Sequence, residues 1–279
     1  YLELARAAAS VASAGASVAL QGVFFMMPLT AAEPGLHVEC TLSDGRFEVR
    51  SGAIDADGTA LEDASAHCSG GFSGDAGGGW QRVEQAAVRG SVCARAADVG
   101  GMYDAYDAAG LQYGPGYRTL VQAWSGSSTA AARLQARSAW YGTHVHPADL
   151  DDALCIGGLA SMGDGDGGTR LPFAVDDALL KRATGELWAA VAQEKSADAM
   201  SVRLGGCSDQ SQAQLDGFKS RALRAEAPVT QQRHLYTTEW RKIDVEKVSG
   251  AVMLVLSDTE LPLAQCERLG TRVEREQLA

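Results

Sequence analysis

The chain has 279 residues, 46% of them hydrophobic and 21% charged. That balance excludes a disordered or fibrous polymer and is enough for one large domain, or two small ones, each with its own core. The formal net charge of −11 repels the phosphate backbone, so nucleic acid is excluded as a partner and an anionic membrane surface is disfavoured.

In chain order, leucine and alanine predict a helix over 1–13, and β-branched and aromatic residues predict a strand over 18–27. The uncharged stretch 11–29 has the length of a membrane span. Gly15 and Gly22 punctuate it and Pro28 ends it, so a helix end followed by a buried strand is expected, with no membrane anchor. A strand over 37–42 and another from Phe47 flank Asp44-Gly45, a hairpin turn signal. A further strand is expected over 64–72, and the small residues 73–79 read as a linker. A second unit starts near Tyr103, with strands over 117–124, 131–141, 187–193 and 200–204 and a helix over 147–159. A third segment begins near His234, and its apolar run 252–256 suits a buried strand.

Three short signals carry chemistry. In Tyr113-Gly114-Pro115-Gly116-Tyr117, glycines around a proline force a turn and allow a ligand close to the backbone, although a loop entering a strand needs nothing more. In His146-Pro147-Ala148-Asp149-Leu150-Asp151-Asp152-Ala153-Leu154-Cys155, proline and early aspartates suit a helix N-terminus. Asp151 and Cys155 lie one turn apart on one face; if that face is buried, Asp151 holds its proton above the usual range and can serve as a general acid. His144-x-His146 has the spacing of a metal pair but lacks further ligands, so no metal is expected. Leu171-Pro172-Phe173 alone is an apolar turn after a glycine-rich loop. Cys40, Cys68, Cys93, Cys155, Cys207 and Cys266 are scattered without a C-x-x-C pair and read as free thiols of a reducing, cytoplasmic compartment.

Together and in this order, the three segments resemble the dehydratase domains of type I polyketide synthases. That family shows a Y-G-P-x-F-type segment, then H-P-x-x-x-D-x-x-x-Q/H, then L-P-F; Tyr1-Leu2-Glu3-Leu4-Ala5 resembles the start of its first central helix. The resemblance implies an α+β double hotdog, two long helices each wrapped by an antiparallel sheet. It divides the chain into a partial first hotdog and linker over 1–97, a second hotdog over 98–225, and a region over 226–279. Leu235-Tyr236-Thr237-Thr238-Glu239-Trp240 resembles the strand that opens the next region of such synthases, often the structural half of a ketoreductase. The implied reaction removes water from a 3-hydroxyacyl thioester carried on the phosphopantetheine arm of an acyl carrier protein, without metal or redox cofactor. Asp151 matches the acid, with Tyr113 holding the hydroxyl. Gly114, Pro115, Tyr117, His146, Pro147, Cys155, Leu171, Pro172 and Phe173 stand at motif positions expected to bind substrate, and helix N-terminal amides would polarise the thioester carbonyl.

Two positions depart from the family. Cys155 stands where Gln or His is usual, and a thiol is a weak donor. The base motif, H-x-x-x-G-x-x-x-x-P, is not formed by His37, His67, His144, His146 or His234; only His67 has glycine four residues on, without the proline. The catalytic histidine is therefore expected upstream of Tyr1. The partners implied are the carrier protein and neighbouring synthase domains, and the family commonly forms homodimers. A non-catalytic double-hotdog scaffold and a product-template cyclase share the fold and stay open as alternatives.

Overall fold

In a computed structural model of the chain, residues 1–30, 35–55, 60–74, 79–81, 90, 95–160, 170–182, 185–194, 199–206 and 211–222 are described. They belong to the compact unit Tyr1–Ala225. The expected region 226–279, with His234 and the run 252–256, lies outside the described residues.

Helix α1 (Leu2–Ala12) buries Leu2, Ala5, Arg6 and Ala9, one stripe at helical spacing. Four strands follow: β1 (Val18–Phe25), β2 (His37–Ser43), β3 (Arg46–Ile54) and β4 (Leu61–Gly74). Asp44 and Gly45 join β2 to β3 with φ of 49° and 71°, a left-handed pair that matches the twist of a two-residue hairpin. The uncharged stretch that reaches Leu29 is thus the end of α1, a turn and β1. No helix among the described residues is long and apolar enough to cross a membrane.

The second half contains β5 (Arg95–Ala97), α2 (Val99–Ala108), β6 (Leu120–Ser125), β7 (Thr129–Leu134) and α3 (Pro147–Cys155). A single further helical turn, Gly157–Ala160, precedes β8 (Arg170–Leu180), β9 (Trp188–Gln193), β10 (Ala199–Gly205) and β11 (Ser211–Ala222). All eleven strands among the described residues form one antiparallel sheet in the order β2-β3-β4-β1-β8-β11-β10-β9-β7-β6-β5. The seam between halves is β1 on β8, with Leu20 opposite Ala178 and Val23 opposite Val175. Helix α1 packs against β1, β2, β3 and β8, while α3 packs against β9 and β10. This is the α+β double hotdog, with helices of only 11 and 9 residues rather than long ones.

Several boundaries differ from expectation. The strand expected over 131–141 ends at Leu134, because Arg137 turns away to bond Asp149 and Gly116, and Tyr141 and Gly142 both take positive φ. The strand expected from Tyr117 begins at Leu120, since Pro115–Tyr117 winds into a 3-10 turn. Ser73 and Gly74, expected in the linker, extend β4 along β1. Leu171-Pro172-Phe173 is not a turn but the opening of β8; the amide that Pro172 lacks is accommodated beside a register shift in β11 at Lys219/Ser220. Just after the expected linker, Trp80 rests on Ala19 and Leu179, under the Lys181 ammonium at 4.7 Å.

Candidate active site

Asp151, Cys155 and Tyr113 meet in a cavity of about 340 Å³. Its polar end is formed by these three and Tyr106; its remaining wall includes Leu111, Leu154, Met200, Phe218, Leu171 and Pro172.

Helix α3 presents Asp151. His146 caps it, its Nδ1 accepting the Ala148 amide at 3.2 Å, and Pro147 occupies the first helical position. Three aspartates follow and each has a different environment. Asp149 is fully buried and receives Arg137 Nε at 2.8 Å; Arg137 also donates to the Gly116 carbonyl at 3.3 Å, tying the Tyr113–Tyr117 loop to α3. Asp152, also fully buried, accepts the Tyr103 hydroxyl at 2.6 Å and both the amide and hydroxyl of Thr119 at 2.6 Å. Burial pushes its carboxyl up and these three donors work the other way, anchoring α3 to α2 and to the start of β6. Asp151 faces the cavity instead. Burial pushes its carboxyl up to about 6, the Asp152 charge adds to this, and the Tyr113 hydroxyl works the other way.

Cys155 lies one turn beyond Asp151, its Sγ 3.3 Å from the Tyr113 hydroxyl. Burial, then the Asp151 charge, pushes the thiol up to about 12, so it stays neutral. The Tyr106 hydroxyl donates to the Cys155 carbonyl at 3.0 Å, and its ring lies 5.5 Å from that of Tyr113. Tyr103, Tyr106 and Tyr113 all keep their protons more strongly than a free phenol, chiefly through burial. The turn that delivers Tyr113 is a helix stop: Gly110, at φ +88°, lets the Leu111 amide reach the Tyr106 carbonyl at 2.8 Å and its own amide reach Asp107 at 2.9 Å.

Of the residues singled out in sequence, Asp151, Tyr113, Cys155, Leu171 and Pro172 line this cavity. Gly114, Pro115 and Tyr117 form the adjoining 3-10 turn, with Tyr117 exposed. His146 and Pro147 start α3, and Phe173 lies beside Phe24 under the Arg221 guanidinium. Tyr103, Tyr106, Thr119 and Arg137 were not singled out; the spacing of Tyr103 and Tyr106, one turn apart before Gly110, was the available signal.

No described histidine lines the cavity. His67 is buried, its Nδ1 3.1 Å from the Met27 carbonyl and its Nε2 2.7 Å from the Ser51 hydroxyl, with its ring stacked on Tyr1. The carbonyl can only accept, so Nδ1 carries the proton and Nε2 accepts from Ser51. His37 lies exposed on β2. Among the described residues no group of three or more metal-ligating side chains is present.

The family model described as polyketide synthase dehydratase N-terminal domain matches residues 82–229, just over half of the chain. The polyketide synthase ThaG of Burkholderia thailandensis is 31% identical over 240 residues, which are 80% of this chain and 4% of that synthase. Among solved structures, the dehydratase domain from the CurF module of curacin polyketide synthase superposes with a TM-score of 0.67 at 17% identity, covering 80% of this chain and 82% of that one. The CurK dehydratase gives 0.66 at 22% identity as an inactive variant with histidine replaced by phenylalanine, covering 80% of each chain. It gives 0.64 at 20% as an inactive variant with aspartate replaced by asparagine, covering 79% of this chain and 82% of that one. These likenesses agree in fold with the eleven-stranded double hotdog, and with the family match they lead to one conclusion: the chain belongs to the polyketide synthase dehydratase family.

Proposed function

We propose that this chain supplies the acid half of a site that removes water from a 3-hydroxyacyl thioester presented on the phosphopantetheine arm of an acyl carrier protein. The observation that carries this reading is Asp151. It is the one aspartate of the three on α3 that lines the cavity, and its carboxyl is pushed up to about 6, close to a working pH. A base takes the proton from the carbon next to the thioester carbonyl. Electrons of that C–H bond form the double bond, the C–O bond to the 3-hydroxyl breaks, and Asp151 gives its proton to the departing oxygen. The products are a 2-enoyl thioester and water; the proton held by the base restores Asp151. The step is acid–base chemistry alone and calls for no metal or redox group.

The base is proposed to be a histidine from a segment before Tyr1. The loss of activity of the CurK dehydratase on replacing either a histidine or an aspartate supports a two-residue division of labour. Tyr113 and Cys155, 3.3 Å apart beside Asp151, would orient the hydroxyl. Incubating the full-length parent synthase with a 3-hydroxyacyl pantetheine thioester and following loss of water by mass spectrometry tests this. Turnover is expected for the unmodified protein and is expected to disappear in Asp151→Asn. Equal turnover in both would remove Asp151 from the mechanism; no turnover in either would leave the chain a scaffold.

A further inference from the structure

Glu3 sits in the first turn of α1, in the first half of the molecule, yet its carboxylate is spent on the second half. Oε1 accepts the Val145 amide at 2.9 Å and Oε2 the His144 amide at 3.2 Å, across 142 and 141 residues of sequence. Oε2 also receives Arg6 Nε at 3.2 Å and Nη2 at 3.1 Å. The side chains of Glu3 and Arg6 are only 10% and 8% exposed. An acidic residue in a first turn needs no such partners, because it serves the helix dipole from the surface. This one is buried and saturated by four N–H donors, two of them backbone amides of another element.

Those amides lead directly into the site. Val145 is fully buried, His146 then caps α3, and Asp151 follows five residues later in the same helix. A helix is stiff, so fixing Val145 against α1 fixes where the carboxyl of Asp151 ends in the cavity. We propose that Glu3 is a positioning residue, a clamp from the first hotdog that sets how α3 presents Asp151. The proposal rests on the reading of Asp151 as the acid.

Steady-state kinetics of the parent synthase with a 3-hydroxyacyl pantetheine thioester test it in three variants. Glu3→Leu removes the clamp and is expected to lower kcat about 100-fold, the loss typical of an ångström-scale misplacement. KM is expected to stay within about threefold, since the cavity wall that holds the acyl chain is untouched. Glu3→Gln keeps an acceptor for Val145 and is expected to recover kcat to within about tenfold of the unmodified protein. Arg6→Gln breaks the ion pair but leaves both amide bonds; it is expected to lower the melting temperature without changing kcat. Should Glu3→Leu not fold, the Asp151 carboxyl titration in Glu3→Asp, whose shorter side chain keeps the charge but does not span both amides, replaces it, with a displaced midpoint expected. The proposal is overturned by a kcat in Glu3→Leu within about threefold of the unmodified protein, by an Arg6→Gln loss as large as that of Glu3→Leu, or by an unmoved titration. Unchanged Glu3 variants beside an inactive Asp151→Asn would remove the clamp alone; an active Asp151→Asn would remove the reading beneath it.

Discussion

At the scale of single residues, three aspartates on one short helix have three fates, and burial alone does not separate them. Asp149 and Asp152 are the more deeply buried, but each meets donors that favour its charge; Asp151 meets the cavity and the field of Asp152. Its folded pKa stands above its unfolded value of 3.8, so this group costs no stability below that value, and the cost grows as pH rises to about 6 and is fully present at pH 7. Asp151→Asn is therefore expected to raise stability at pH 7 by about 3 kcal/mol and by under about 1 kcal/mol near pH 4, by denaturant unfolding at the two pH values. A gain of equal size at both would contradict the assignment. Cys155 and Cys68, each pushed up to about 12 by burial, are expected to resist iodoacetamide at pH 8 in the folded chain and to react once it is unfolded, as read by peptide mass mapping. Asp151 and Cys155 were legible in sequence because a helix start with a proline fixes their phase. Tyr106, Thr119 and Arg137 were not, since their roles come from partners 49, 33 and 12 residues away.

At the scale of elements, α3 is held by paired polar groups at both ends of the Tyr113–Thr119 segment. Arg137→Met would leave the Asp149 carboxylate buried without its cation and is expected to cost about 3–5 kcal/mol in chemical denaturation; a cost under about 1 kcal/mol would show that Asp149 finds another partner or a proton. The strands of the first half were legible from β-branched and aromatic residues and from Asp44-Gly45. Strand β11 was not: Ser211-Gln212-Ala213-Gln214-Leu215-Asp216 alternates weakly, and its buried polar residues Ser211, Gln212 and Gln214 do not read as core in sequence. Gln214 bonds the Gly79 carbonyl and the Gln81 amide, each at 3.0 Å, and Arg203 reaches Gln81 at 2.9 Å, so the linker itself supplies the partners. Helix α2 was hidden by Gly100 and Gly101 in its first turn; its Asp98 cap, accepting the Gly101 amide at 3.1 Å, and Gly110 were its only marks.

At the scale of the whole molecule, one sheet joins two halves, and its seam is apolar: Leu20 and Val23 of β1 and Val175 and Ala178 of β8 all belong to one core. The halves are expected to unfold together, giving a single transition by circular dichroism and tryptophan fluorescence; two separated transitions would show that the β1–β8 seam is weak. The walls of the cavity come from the second half alone, from α2, α3, β8, β10 and β11. The burial that raises the Asp151 carboxyl thus exists only within the assembled fold. The most direct test is a carbon-13 NMR titration of the Asp151 carboxyl, assigned through Asp151→Asn. A midpoint near 6 in the folded chain, falling towards the ordinary value of 3.8 in denaturant, is expected; a folded midpoint already at the ordinary value would contradict the placement of Asp151 as a poised acid.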